Sequence, residues 1–212
     1  MTDYLFKPGD NKLAPLLLLH STGGDEQQLL PLAELVAPGH PILSIAGRVN
    51  PDGPRRYFKL RGTGGFTPDN FDLNSLAKES QWLSQTIIKL SQKHELDLSR
   101  MIALGYSNGA NILLDMLLSD LIAFDNSIAF HAMRLKEHPT LREKKSRSLF
   151  LTYAKNDEIV PLDNFKSLKT ELESAGCRLT VFESTLGHQL SEEEVWAAKQ
   201  WLTDLSAATN KT

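Results

Sequence analysis

Met101-Ile-Ala-Leu-Gly-Tyr-Ser-Asn-Gly-Ala-Asn111 reads as a short apolar strand that turns sharply at Ser107 and runs straight into a helix. In the pattern Gly105-x-Ser107-x-Gly109, a strained backbone at the serine projects its hydroxyl clear of the sheet. The glycines on either side let neighbouring backbones approach without a Cβ clash. Five residues of this kind also arise by chance. The weight comes from their setting, with Met101 to Leu104 before them and the amphipathic run Ala110, Ile112, Leu113, Met116, Leu117 after them. The stretch has the form of a nucleophile elbow.

Working outward, the chain alternates strand and helix. Pro15 to His20 is an apolar run of strand length that ends in the turn-rich Ser21-Thr22-Gly23-Gly24-Asp25. A helical pattern through Leu29, Leu32, Ala33 and Val36 leads to a second strand, Pro41 to Ala46. Asp72 or Asn74 can cap a helix carrying Leu76, Leu83, Ile87 and Leu90, and Asp97-Leu98-Ser99-Arg100 turns the chain into the elbow strand. Beyond the elbow, Ser127 to Phe130 and Leu149 to Tyr153 read as strands, Phe165 to Leu172 as a helix, Arg178 to Phe182 as a last strand and Val195 to Leu205 as the closing helix. Ser191 with Glu194 fits a capping box for that helix. This alternation predicts an α/β fold whose mostly parallel sheet has helices on both faces and binds ligands at the carboxyl ends of its strands.

The totals narrow the class. A chain of 212 residues suits one domain over 1–212, and 23 basic against 26 acidic residues argue against a nucleic-acid partner. The single cysteine, Cys177, rules out an internal disulfide and a multi-cysteine zinc site, which fits a reducing cytosol. The N-terminal residues hold no basic stretch leading into an apolar segment, and no run approaches the ~18 apolar residues of a membrane span. The expectation is a cytoplasmic protein with no stable membrane insertion, monomeric or homodimeric, acting on a small molecule.

A serine hydroxyl at neutral pH needs a base, and the base needs a group that fixes its tautomer. Asp157 follows one late strand and His188 the next, so both should emerge at the same sheet edge as Ser107, in the order Ser, Asp, His expected of α/β-hydrolases. Glu158 is the rival orienting acid. Five other histidines compete with His188: His20 and His131 end strands, while His40, His94 and His138 sit in polar surroundings. An oxyanion requires preorganised N–H donors. The backbone N–H groups of Asn108, just after the serine, and of Thr22, in the loop after Pro15 to His20, are the candidates. That loop lacks the Gly-x-x-x-x-Gly-Lys-Ser/Thr of a nucleotide site.

Taken together, His20-Ser-Thr-Gly-Gly, Gly105-Tyr-Ser-Asn-Gly-Ala-Asn, Asn156-Asp-Glu-Ile-Val-Pro and Leu186-Gly-His188 resemble the small bacterial carboxylesterase/phospholipase family of α/β-hydrolases across nearly the whole chain. Arg56 to Arg61, Arg-Tyr-Phe-Lys-Leu-Arg, is similar to a stretch of its YahD-type serine hydrolases. The resemblance implies an α/β-hydrolase fold without a large cap domain, a triad of Ser107, Asp157 and His188, and hydrolysis of carboxylic esters of small or medium acyl groups through an acyl-enzyme. Thioesterase or lysophospholipase activity is the alternative, and a non-catalytic binding protein on the same scaffold a further one. No metal or organic cofactor is called for. One departure from the family pattern is His20-Ser21, where His-Gly is usual.

Residues 47–72 form a Gly-, Pro- and Arg-rich segment too long for a plain connection, which reads as a loop covering the active site or as a flexible insertion. Within it Tyr57, Phe58 and Phe66 are candidates to line an acyl pocket. Arg56, with Arg55, Lys59 and Arg61, would favour a substrate bearing a carboxylate or phosphate, unless the segment is an ordinary surface loop pinned by its aromatics. The basic run Arg134 to Arg147, interrupted by Glu137 and Glu143, reads as a solvated loop.

Overall fold

The computed structural model describes residues 2–50, 52–139 and 146–209. Seven strands, β1 (Tyr4–Lys7), β2 (Leu16–Leu19), β3 (Ile42–Ile45), β4 (Ile102–Tyr106), β5 (Asn126–Phe130), β6 (Arg147–Ala154) and β7 (Cys177–Ser184), form one sheet in the order β1-β3-β2-β4-β5-β6-β7. Only β1 runs antiparallel, paired with β3 along the sheet edge. All other neighbours are parallel. The helices are α1 (Leu30–Val36), α2 (Leu73–Lys93), α3 (Asn108–Leu118), α4 (Leu162–Ser174) and α5 (Glu192–Thr209).

The central strands β2, β3 and β4 are almost continuously apolar because the sheet is covered there on both sides. Period two divides each strand between two cores. Leu17 and Leu19 of β2 join Leu83 and Ile87 of α2, Leu113 of α3 and Leu168 of α4 on one face. Leu16 and Leu18 face the other way, onto Ala33 of α1 and Ala198 of α5. All four leucines of β2 are at most 1% exposed. The predicted α/β-hydrolase arrangement, without a cap domain, is therefore what the described residues adopt.

The helix ends follow sequence chemistry. Asp72 caps α2 by accepting from the N–H of Ser75 at 3.0 Å. At the head of α5 the capping box is reciprocal, with Ser191 N–H on Glu194 Oε2 at 2.8 Å and Glu194 N–H on Ser191 Oγ at 3.2 Å.

Three features depart from the sequence reading. The start of the chain, where the alternation read from sequence has no strand, supplies β1, a four-residue half-buried edge strand too short for a periodic signal. Arg147, placed in a solvated loop, lies in β6 at 1% exposure, with Nη1 donating to the Leu117 carbonyl at 3.0 Å. Residues 140–145 of that basic run lie outside the described residues. The described residues of segment 47–72 are held by the bridges Val49↔Arg56 and Leu60↔Phe71 and a short 3-10 turn at Pro68–Asn70, not left as a flexible insertion. It is also tied to the loop after β2 by Gly23 N–H on the Arg55 carbonyl at 2.8 Å.

Candidate active site

Because β2, β4, β5, β6 and β7 point the same way, the loops at their carboxyl ends bring Thr22, Ser107, His131, Asp157 and His188 to one edge of the sheet. At the tightest of these turns Ser107 has φ 50° and ψ −110°, a conformation costing on the order of 1–3 kcal/mol that persists only where its surroundings over-determine it. They do so here. Ser107 N–H donates to the Phe130 carbonyl at 2.9 Å, and its own carbonyl accepts from Asn111 N–H at 2.8 Å. A Cβ on Gly109 would drive into the carbonyl oxygens of Leu19 and His20, and one on Gly105 would sit 2.7 Å from Ala110 N. Only glycines let α3 lie this close to β2 and β4.

From Ser107 a hydrogen-bond chain runs inward. His188 Nε2 is 2.8 Å from Ser107 Oγ, and His188 Nδ1 is 2.8 Å from Asp157 Oδ2. A carboxylate only accepts, so Nδ1 carries the proton and the Nε2 lone pair faces the serine hydroxyl. Asp157 Oδ1 accepts from the N–H groups of Ile159 at 2.8 Å and Val160 at 3.0 Å. Burial alone would raise the Asp157 carboxyl, but the bonds from His131, His188 and these two amides outweigh it and hold the group well below the usual carboxylate range. Glu158, the rival acid, is exposed. Tyr106, the residue before the serine, donates its hydroxyl to the His188 carbonyl at 2.8 Å and stacks on the His188 ring at 5.9 Å between centroids.

Sequence reasoning passed over His131. Its Nδ1 lies 3.0 Å from Asp157 Oδ2, the oxygen that also takes His188, and its Nε2 lies 3.0 Å from Glu194 Oε1. The first contact is a directed hydrogen bond. The second is off the bonding line and acts as an ion pair. Burial works against charge on His131, but the two carboxylates raise it from 6.5 to about 9. The available signal was its place at the carboxyl end of β5. Among the described residues, His131, Asp157 and His188 are the group with donors close enough to share a metal ion. Both imidazoles already spend their Nδ1 on Asp157 Oδ2, so an ion there would have to displace those bonds.

The backbone N–H groups of Thr22 and Asn108 have no acceptor among the described residues, and both residues line a cavity of about 240 Å³ that opens on Ser107 and His188. As the first residue of α3, Asn108 presents an N–H that no turn of helix can satisfy. Its Oδ1 accepts from Tyr57 N–H at 2.8 Å.

The expected substrate residues divide. Arg56 and Phe66 line the cavity, together with Phe71, Met133, Ile159 and Val160. Tyr57 and Phe58 do not, which corrects their assignment to an acyl pocket. Each is 0% exposed. The Tyr57 hydroxyl accepts from His20 N–H at 2.9 Å and donates to the Ile45 carbonyl at 2.6 Å, so it clamps the ends of β2 and β3 together. Phe58 packs edge-on against Phe71 at 5.5 Å. His20 completes the clamp: its Nδ1–H donates to the Ser21 carbonyl at 2.6 Å and its Nε2 accepts from Gly47 N–H at 2.9 Å. Burial lowers His20 to about 4, so it is neutral.

Arg56 is 3% exposed. Its Nε donates to the Phe58 carbonyl at 3.1 Å and its Nη1 to Thr22 Oγ1 at 2.5 Å. The guanidinium carbon stands 5.4 Å from the Phe58 ring, 5.1 Å from Phe66 and 5.9 Å from Phe71. Neighbouring Arg55 pairs with Asp3 and Glu26, whereas Arg56 has no carboxylate at ion-pair distance among the described residues. Desolvation lowers it to about 10, which leaves it charged at neutral pH.

Similarity to known proteins agrees with this architecture. Residues 6–206 match the phospholipase/carboxylesterase family. The MhqD protein of Bacillus subtilis (strain 168) is 31% identical over 186 residues, covering 88% of this chain and 90% of that protein. The structure of YahD with malic acid superposes with a TM-score of 0.93 at 58% identity, covering 96% of this chain and 99% of that one. The carboxylesterase of Bacillus cereus superposes with a TM-score of 0.89 at 33% identity, covering 96% and 94% respectively. The chain belongs to the phospholipase/carboxylesterase family and is an esterase-type hydrolase of the α/β-hydrolase fold.

Proposed function

We propose that this hydrolase cleaves carboxylic esters of small or medium acyl groups through a serine acyl-enzyme. The observation that carries the reading is the unbroken chain from Ser107 Oγ through His188 to Asp157, opening on a cavity lined by the two N–H-bearing residues Thr22 and Asn108. Ser107 Oγ attacks the ester carbonyl while His188 Nε2 takes its proton, and Asp157 stabilises the resulting imidazolium. The Thr22 and Asn108 N–H groups receive the tetrahedral oxyanion, each worth roughly 2.7–4 kcal/mol in such sites. On collapse His188 returns the proton to the leaving alkoxide. Water then attacks the acyl-enzyme, giving a proton to His188, and as the second tetrahedral intermediate collapses His188 passes that proton to Ser107 Oγ, releasing the acid and restoring the enzyme.

The substrate is assigned as anionic. Arg56 places an unpaired buried cation at the cavity, and YahD, at 58% identity, has been solved with malic acid, a dicarboxylate. A cavity of about 240 Å³ favours short acyl groups over the chain of a lysophospholipid. Thioesters are open to the same serine attack at the carbonyl. No helix among the described residues is long and apolar enough to cross a membrane, and the buried free thiol of Cys177 suits a reducing, cytosolic setting.

The test is a panel of short esters and thioesters assayed with wild type and Ser107→Ala. Hydrolysis by wild type and its loss in the variant are expected; equal turnover by both would remove Ser107 from the mechanism.

A further inference from the structure

We propose that His131 is a positioning residue for this chemistry: paired with Glu194, it pins the Asp157 oxygen that His188 uses and sets the pH at which His188 acts as base. The inference rests on the serine-triad reading above and adds a fourth and fifth side chain to it. Its ground is geometric. Asp157 Oδ2 accepts from two imidazoles at once, His188 at 2.8 Å and His131 at 3.0 Å, while the far nitrogen of His131 stands 3.0 Å from a second carboxylate oxygen. His131, Asp157 and Glu194 side chains are all 0% exposed, so no solvent intervenes.

An imidazole between two carboxylates cannot be neutral at low cost. With a single N–H it would turn its bare lone pair on one of the two anions; with both nitrogens protonated it serves both. His131 is therefore an imidazolium, in line with its pKa raised to about 9. The backbone is committed to this placement as well: His131 has φ 50°, a left-handed conformation at a strand end, and its N–H is held by Thr152 Oγ1 at 3.2 Å. Glu194 reaches it because the capping box uses only Oε2, which leaves Oε1 for His131.

The consequence for His188 follows from sign. Its ring centroid is 5.2 Å from that of His131, so a permanent cation on the shared carboxylate opposes a second positive charge on His188, and Glu194 behind it partly offsets this. The groups facing His131 are Asp157 after β6, Glu194 on α5, His188 after β7 and the Tyr106 ring on β4, 6.0 Å away. Asp157 and Glu194 supply the only carboxylates among them, and Tyr106, pushed up to about 12, stays neutral through the working range. Taking away the His131 charge alone makes His188 more basic. Taking away the Glu194 charge with it reverses part of that change.

The experiment is the pH profile of kcat/KM, whose acid limb reports the base in the free enzyme, for wild type, His131→Gln, and His131→Gln with Glu194→Gln. Gln at 131 keeps an N–H donor for Asp157 without charge. Expected is an acid-limb midpoint about one unit higher in the single variant, roughly a tenfold lower rate on that limb, and a midpoint between that of the single variant and that of wild type in the double variant. An unmoved limb, including one accompanied by a uniform fall in kcat, would make His131 a packing residue and overturn the proposal. For wild type itself, 15N NMR at pH 7.5 should find both His131 ring nitrogens protonated, and a neutral tautomer would overturn the proposal even if the variants fail to fold. Loss of the triad reading is separable: it would appear as full activity in Ser107→Ala, whatever the position of the limb.

Discussion

Replacing Arg56 with Met removes a guanidinium charge that lines the cavity and keeps much of the side chain's apolar bulk. The structure sets the size of the effect. Arg56 uses one N–H on the Phe58 carbonyl and one on Thr22 Oγ1, so of the five donors of a guanidinium three are free for a ligand. At 3% exposure a carboxylate placed there is little screened. A hydrogen bond to a charged partner contributes about 1.5–3 kcal/mol, or roughly 10- to 150-fold in kcat/KM. Monomethyl succinate and methyl 4-methylpentanoate are suitable substrates, because they differ in a terminal carboxylate against a branched alkyl group of similar shape. Methanol release measures both. Wild type should prefer the succinate ester, and Arg56→Met should cut that preference by the stated factor. A parallel fall of both rates would reduce Arg56 to a support for Thr22 and contradict this role. A wild-type enzyme indifferent to the carboxylate would refute the anionic-substrate reading outright.

Three further outcomes follow from the same contacts. Tyr57→Phe leaves the buried His20 N–H and Ile45 carbonyl without the phenol oxygen, which costs about 2–4 kcal/mol and lowers Tm by roughly 5–15 °C; an unchanged Tm with an altered KM would return Tyr57 to the acyl pocket. Gly109→Ala forces α3 away from β2, with a stability loss of about 3 kcal/mol and a larger loss of kcat than of folded protein, because Asn108 and Thr22 separate; circular dichroism beside kinetics decides, and a normal kcat would contradict the close approach. The pH dependence of stability has a defined sign. His131 is raised from 6.5 to about 9 on folding, so its stabilisation is complete below pH 6.5 and is lost as pH rises through 9. Denaturant titrations at pH 6.5 and 9.5 should differ by on the order of 1–3 kcal/mol in wild type and by much less in His131→Gln; a flat wild-type profile would show that His131 is not charged in the native state.

How much of this was legible in sequence depends on whether a feature is local. The elbow could be read because the close approach of α3 to β2 demands glycine at Gly109 and the turn demands a strained Ser107, both within five residues. Asp157 and His188 could be placed because a parallel sheet delivers successive strand ends to one edge. Chain order then hid His131: it precedes Asp157, so a search for a base after the acid discarded it, although its strand-end position was the same kind of evidence. Glu194 was read as a helix cap, and it is one; nothing in a four-residue pattern reveals that its second oxygen faces another strand. Tyr57 and Phe58 fall in the segment that leaves β3 beside the site, and composition cannot distinguish an aromatic that lines a cavity from one that closes the core beneath it. The phenol oxygen of Tyr57 settles on the His20 N–H and the Ile45 carbonyl, contacts between residues far apart in the chain. Arg56 was flagged for its charge, but its isolation from every described carboxylate emerges only in three dimensions.

In the proposed mechanism Ser107 forms the covalent bond to the acyl group. Reaction of the native enzyme with a fluorophosphonate, followed by intact-mass measurement and peptide mapping, addresses it without knowledge of the natural ester. One adduct per chain is expected, carried by the peptide containing Ser107 and absent in both Ser107→Ala and His188→Ala. A chain that stays unlabelled while it hydrolyses esters, or an adduct on any other residue, would contradict it.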